Sequence, residues 1–162
     1  MEPLSGTTFL GMVIPVIREG VKSALQGGDM RIVSTEKAPA AVGHYSQGIV
    51  TGGLVFVSGQ MPIDPATGEI KATSIEDQVA QSMANVSAIL EAAGSSLDSV
   101  VKTVIFLTDM SLFARANAAY AAAMGDHRPA RSAVPTLPLP RGALVEIEVI
   151  AEIPSGEAAA GA

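Results

Sequence analysis

Leu144-Val145-Glu146-Ile147-Glu148-Val149-Ile150-Ala151-Glu152-Ile153 alternates along its whole length. Val145, Ile147, Val149, Ala151 and Ile153 fall on one face, and Glu146, Glu148, Ile150 and Glu152 on the other. Period two is the mark of a strand with one face on a core. Such a strand needs partners, and they lie upstream. Gly48–Thr51 and Leu54–Ser58 are apolar, partly β-branched runs separated by Gly52-Gly53, which predicts a tight hairpin, because the turns that match strand twist need positive φ. Arg31–Ser34 is a short strand candidate. Val100–Thr108, rich in β-branched residues and closed by Asp109, reads as a buried strand, and Ala130–Leu137 as an extended segment hemmed in by prolines at 129, 135, 138 and 140. Between them lie two helices. Ser74 with Asp77 three residues on resembles a capping box, and Val79, Met83, Val86 and Leu90 continue at helical spacing to a stop at Gly94. Alanine-dense Ser111–Met124 places Leu112, Phe113, Ala116, Tyr120 and Ala123 on one side and stops at Gly125. The order strand, hairpin, helix, strand, helix, strand, strand predicts an α+β layer with two helices over one face of a mixed sheet.

The chain has 162 residues, room for one domain of ordinary size. The regular signals start at Met30. Before it, Phe9, Val13, Val16, Ile17, Val21 and Leu25 are spaced like a helix face that Pro15 and several glycines interrupt, so residues 1–29 are expected to be a leader, partly helical or disordered. Residues 30–153 form the expected domain, and the small, polar residues 154–162 a disordered tail. The apolar run Phe9–Ile17 is far short of the roughly 20 residues that cross a bilayer, which excludes a membrane span and points to a cytoplasmic protein. Ten basic against 16 acidic residues leave a net charge of −6, which repels a phosphate backbone, so no nucleic-acid partner is expected. There are no cysteines and two histidines, which leaves carboxylates, arginine, hydroxyls and backbone groups to carry any chemistry.

Two features break the structural pattern. Arg131 is a guanidinium on a short extended segment between Ala130, Ser132 and Ala133. Its fork of donors suits a carboxylate or phosphate, and the alternative is an edge-strand arginine paired with a surface acid. The second is the acidic row on the last strand. Glu146 and Glu148 share a face with Ile150, and a carboxylate half-buried there would have a raised pKa and serve as a general acid or base. A solvated acidic face is the alternative, and the pattern does not choose between the two glutamates. His44 and His127 have no partners at ligand spacing, so no metal is expected. Val57-Ser58-Gly59-Gln60 lacks the first glycine of a nucleophile elbow.

Further segments carry a resemblance. Ala38-Pro39-Ala40-Ala41-Val42-Gly43-His44-Tyr45-Ser46-Gln47-Gly48, Val57-Ser58-Gly59-Gln60-Met61-Pro62, Pro129-Ala130-Arg131-Ser132 and Val145-Glu146-Ile147-Glu148-Val149-Ile150-Ala151 resemble the RidA/YjgF family of reactive-intermediate deaminases. Asn85-Val86, Glu91-Ala92-Ala93-Gly94, Val101-Lys102-Thr103 and Asn117-Ala118-Ala119-Tyr120 are similar to it as well. The resemblance runs from about Met30 to Ile153. It implies a chorismate-mutase-like α+β fold, a homotrimer whose sheets pack into a central barrel, and active sites in clefts between subunits. It also implies hydrolysis of enamines and imines such as 2-aminoacrylate and 2-iminobutanoate to 2-keto acids and ammonia, without cofactor. Carried over by position, the carboxylate-binding arginine falls on Arg131 and the catalytic glutamate on Glu146. The cleft residues fall on Tyr45, Ser58, Gly59 and Asn117, with a backbone group at Ala133. This chain departs from the family pattern in having Ala133 where cysteine is frequent and His44 where proline is usual. A non-catalytic binder of small carboxylates, or a trimer that regulates a partner, would need Arg131 but not Glu146. RNA cleavage, a third alternative, is opposed by the acidic charge.

Overall fold

A computed structural model describes residues 30–154; the expected leader and the tail beyond Pro154 lie outside the described residues. Six strands, β1 (Arg31–Val33), β2 (Gly48–Thr51), β3 (Leu54–Gln60), β4 (Val100–Leu107), β5 (Ala130–Pro135) and β6 (Val145–Glu152), form one sheet in the order β1-β2-β3-β6-β4-β5. All pairs are antiparallel except β4 and β5. The last strand in sequence is therefore central, between β3 and β4. Its alternation does what it predicts: Val145, Ile147, Val149 and Ala151 are at most 2% exposed, while Glu146, Glu148 and Ile150 are half-buried on the other face. Gly52 and Gly53 both take positive φ (58° and 78°), which closes the β2–β3 hairpin with the predicted two-residue turn.

Two helices, α1 (Ile75–Ala93) and α2 (Phe113–Met124), cover the face that carries the apolar side of β6. Ser74 caps α1 by accepting the Asp77 N–H at 3.1 Å. The reciprocal half of the capping box is replaced by a bond between side chains, in which the Ser74 hydroxyl donates to the Asp77 carboxylate at 2.7 Å. Val79, Met83, Val86 and Leu90 are all buried, as their spacing requires. α2 starts later than Ser111, because Met110–Leu112 is a 3-10 turn whose Ser111 N–H is taken by the Asp109 carboxylate. Its crossover joins the parallel strands β4 and β5. β5 stops at Pro135 rather than Leu137: the Thr136 N–H makes a last bond to the Leu107 carbonyl, and Leu137 then projects from the surface, 82% exposed. Among the described residues no helix is long and apolar enough to cross a membrane.

Candidate active site

Strand β3 meets β6 with Val57 opposite Val149 and then Gln60 opposite Ile147, so that Ser58 and Gly59 together face Glu148. This is a β-bulge, a device that re-aims side chains. Ser58 is tied down on both sides of its Cα, its N–H donating to the Gln47 carbonyl at 3.0 Å and its hydroxyl to the Ser46 carbonyl at 2.7 Å. That anchors the loop carrying Tyr45. Gly59 serves differently. The Glu146 carboxyl rests on it, at a point where a Cβ would lie only 1.9 Å from Oε1. Burial, and secondarily the charge of Glu148, holds the Glu146 carboxyl above its ordinary pKa. A cavity of about 700 Å³ opens beside Gly59, with Tyr45, Pro39, Met61, Ile63 and Arg141 among its walls.

Arg131 occupies other ground. In the parallel β4–β5 pair it is in register with Thr103, whose buried hydroxyl shares a 3.0 Å hydrogen bond with the Tyr120 hydroxyl of α2. Arg131 therefore leans toward the helices. Its guanidinium carbon stands 5.0 Å from the centre of the Tyr120 ring and 5.9 Å from that of Phe113, a cation–π contact with both. Asn117 is spaced between these two aromatics on the same stripe of α2 and is half-buried. Ala133, two residues along β5, shares the side of Arg131. Burial raises the Tyr120 pKa, against the lowering effects of the Thr103 hydrogen bond and the Arg131 charge. Among the described residues no carboxylate comes within 4 Å of Arg131, so the surface ion pair that sequence alone left open is not what occupies it.

Residues 35–153 match the family model described as Endoribonuclease L-PSP. The chain belongs to this family, the RidA/YjgF proteins. A RutC family protein of Pyrococcus horikoshii is 49% identical over 120 residues, covering 74% of this chain and 95% of the relative. A 2-iminobutanoate/2-iminopropanoate deaminase of Salmonella typhimurium is 45% identical over 124 residues, covering 75% and 96%. Among solved structures, that of Escherichia coli TdcF with bound serine superposes with a TM-score of 0.72 at 42% identity, covering 75% of this chain and 98% of that one. The mixed six-stranded sheet with its two helices is the chorismate-mutase-like fold of these neighbours.

In this RidA/YjgF chain the candidate residues fall into two groups. Tyr45, Ser58, Gly59 and Glu146 gather around the bulge and the cavity. Arg131, Ala133 and Asn117 gather at the edge strand. Glu146 is in register with Phe106 of β4 and points away from the helices, whereas Arg131 points toward them. One strand lies between β6 and β5, which separates their backbones by about 10 Å, and the side chains diverge further. A single copy does not bring the two groups together. His127 spends its ring on the fold, with Nε2 at 2.7 Å from the Val100 carbonyl, and among the described residues no cluster of His, Asp or Glu is placed to hold a metal ion. Two polar residues escaped the sequence reading. Buried Gln47 bonds the Thr35, Ala38 and Pro39 carbonyls and so shapes the wall of the cavity. Arg141, also on that wall, follows three prolines in six residues, and the signal that would have found it is a lone cation just before the central strand.

Proposed function

We propose that this protein hydrolyses enamines and imines of small 2-keto acids, with 2-aminoacrylate and 2-iminobutanoate as substrates, and that it does so at a site completed between copies of a homotrimer. The observation that carries this reading is the Glu146 carboxyl, half-buried on Gly59 and held above its ordinary pKa. A carboxyl poised in that way can serve as a general base and then as a general acid. The deaminase names borne by relatives at 44–45% identity support the same chemistry. Arg131 of one copy holds the substrate carboxylate in a bidentate grip, stacked on Tyr120 and free of a competing acid. Glu146 of a neighbouring copy accepts a proton from the water that attacks the iminium carbon. It then returns a proton to nitrogen, so that ammonia leaves and the carbonyl forms. Backbone N–H groups at Gly59 and Ala133 close the pocket around the substrate, with Tyr45, Ser58 and Asn117 at its edges. An iminium ion is electrophilic already, so the reaction calls for no cofactor.

The face of the sheet away from the helices supports an assembly. Ile49, Phe56 and Ile150 form a row across it, and Phe56 is 41% exposed in one copy. An apolar row of that kind is covered when three sheets close into a barrel. Residues 30–153 are the working domain in this reading, and the cytoplasm its place of action. The description of the family model speaks of an endoribonuclease, but a net charge of −6 opposes an RNA backbone.

The test is release of keto acid from freshly generated 2-aminoacrylate and 2-iminobutanoate by the wild type, Arg131→Ala and Glu146→Gln. The wild type should accelerate release and both variants should lose the acceleration. Glu146→Gln should still bind the keto-acid product. Release by the wild type no faster than in a protein-free control refutes the reading, and product binding without turnover in any form identifies a binder instead.

A further inference from the structure

The cavity beside Gly59 has Pro39, Val42, Met61 and Ile63 among its walls, and Arg141 is the one Asp, Glu, Lys or Arg that lines it. Arg141 lies in the turn Pro140–Gly142 at φ 60°, ψ 16°, and among the described residues it is the one non-glycine residue with positive φ. A side-chain N–H donates to the Gly68 carbonyl on the opposite loop, which fixes where the guanidinium stands. No carboxylate among the described residues lies within 4 Å of it; Asp64 of the same loop is taken by Lys71 at 2.6 Å. A strained backbone thus holds a cation, with donors to spare, in the wall of an apolar chamber. The chamber is also large for the proposed substrates. At about 700 Å³ it lies within the range of small-molecule sites, and an imine of three or four carbons leaves most of it empty.

We propose that Arg141 is a specificity-determining residue that reads a carboxylate at the far end of the substrate side chain, so that dicarboxylic 2-imino acids are a preferred substrate class. The proposal rests on the deaminase reading above and adds the side-chain pocket to it. The reacting carbon stands beside Gly59, where Glu146 serves it, and the side chain runs through the apolar chamber to the guanidinium. The reaction is R–C(=NH₂⁺)–COO⁻ + H₂O → R–CO–COO⁻ + NH₄⁺, in which the C=N bond breaks, a C=O bond forms and both water protons end on nitrogen. R ends in a carboxylate that takes no part in the step.

The experiment compares 2-iminoglutarate with 2-iminopentanoate, its neutral counterpart of equal chain length, each generated in the assay by an amino-acid oxidase. The wild type should favour the acidic imine in kcat/KM, and Arg141→Gln, which keeps a donor for Gly68 without the charge, should lower that preference by ~10-fold to ~100-fold, the range of a charge-assisted hydrogen bond. Arg141→Lys should restore most of it. Arg141→Gly, at a φ that glycine adopts freely, repeats the loss on a backbone at least as easy to fold. An unchanged preference in Arg141→Gln overturns the proposal, whereas a merely structural clamp on Gly68 would slow both imines alike. Titration with 2-oxoglutarate gives a second readout. Weakening by ~10-fold or more in Arg141→Gln supports the pocket even if no imine is turned over, in which case only the deaminase reading fails; equal binding overturns the pocket.

Discussion

Substituting Gly59 by alanine separates folding from chemistry in one methyl group. The new Cβ would stand 1.9 Å from Oε1, 2.7 Å from Cδ and 3.0 Å from Cγ of Glu146. Ordinary contact begins near about 3.5 Å, so the carboxyl has to withdraw by roughly 1.5 Å. The backbone offers little relief, because the bulge is held by the Gln47–Ser58 hydrogen bond on one side and by the β6 ladder on the other. The glutamate side chain yields instead. It is half-buried and flexible, and an off-rotamer or rotated position costs about 0.5–1.5 kcal/mol, so stability should fall by about 1 kcal/mol. Catalysis is far less tolerant, since misplacing a catalytic group by about 1 Å costs up to roughly 100-fold. We therefore expect Gly59→Ala to melt within a few degrees of the wild type while its kcat for 2-aminoacrylate falls by ~100-fold, with KM less affected because Arg131 is untouched. Keto-acid release and thermal denaturation measure the two sides. A wild-type kcat in Gly59→Ala would refute the argument, and so would a collapse of its melting temperature far beyond a few degrees.

Glu146→Gln should also change how stability responds to pH. Burial and then Glu148 raise the folded-state pKa of Glu146 above its ordinary 4.5, so its stabilising effect is complete below that value and lost as pH rises through the folded pKa. The variant should outmelt the wild type near pH 7, and the gap should close below about pH 4.5; a gap independent of pH would contradict the assignment. Tyr120→Phe leaves the fully buried Thr103 hydroxyl without its 3.0 Å partner and should cost about 1–3 kcal/mol in denaturant unfolding, whereas an unchanged midpoint would deny the bond any weight. Phe56→Glu places a charge in the row Ile49-Phe56-Ile150, and light scattering should show a lighter species that has lost turnover; a variant of trimer mass would exclude this face as the interface.

What sequence disclosed and what it withheld follow the range of the interactions. The β6 alternation, the Gly52-Gly53 hairpin and the Ser74 and Gly94 ends of α1 are each decided within a few residues, and each is legible. The position of β6 between β3 and β4 is not, because it depends on pairing with a strand some ninety residues earlier in the chain. The choice between Glu146 and Glu148 was open for the same reason. Both lie on one face, but only Glu146 reaches Gly59, and it does so because a bulge on another strand brings the glycine beneath it. Arg131 stood out by chemistry, yet its direction was fixed by a parallel pairing with β4 that no local pattern encodes. Arg141 escaped notice because its left-handed backbone is a tertiary outcome in a segment that reads merely as a proline-rich loop.

Arg131 and Glu146 leave the sheet on opposite faces, and this has a genetic side. If each working junction takes its arginine from one copy and its glutamate from the next, a lesion in either residue spoils one junction and leaves its owner competent at another. An Arg131→Ala chain and a Glu146→Gln chain, each dead alone, then restore activity when they assemble together. A chain that carries both changes has nothing to lend its neighbours. Two defective alleles can thus amount to one working enzyme, provided that their defects lie on different sides of the sheet.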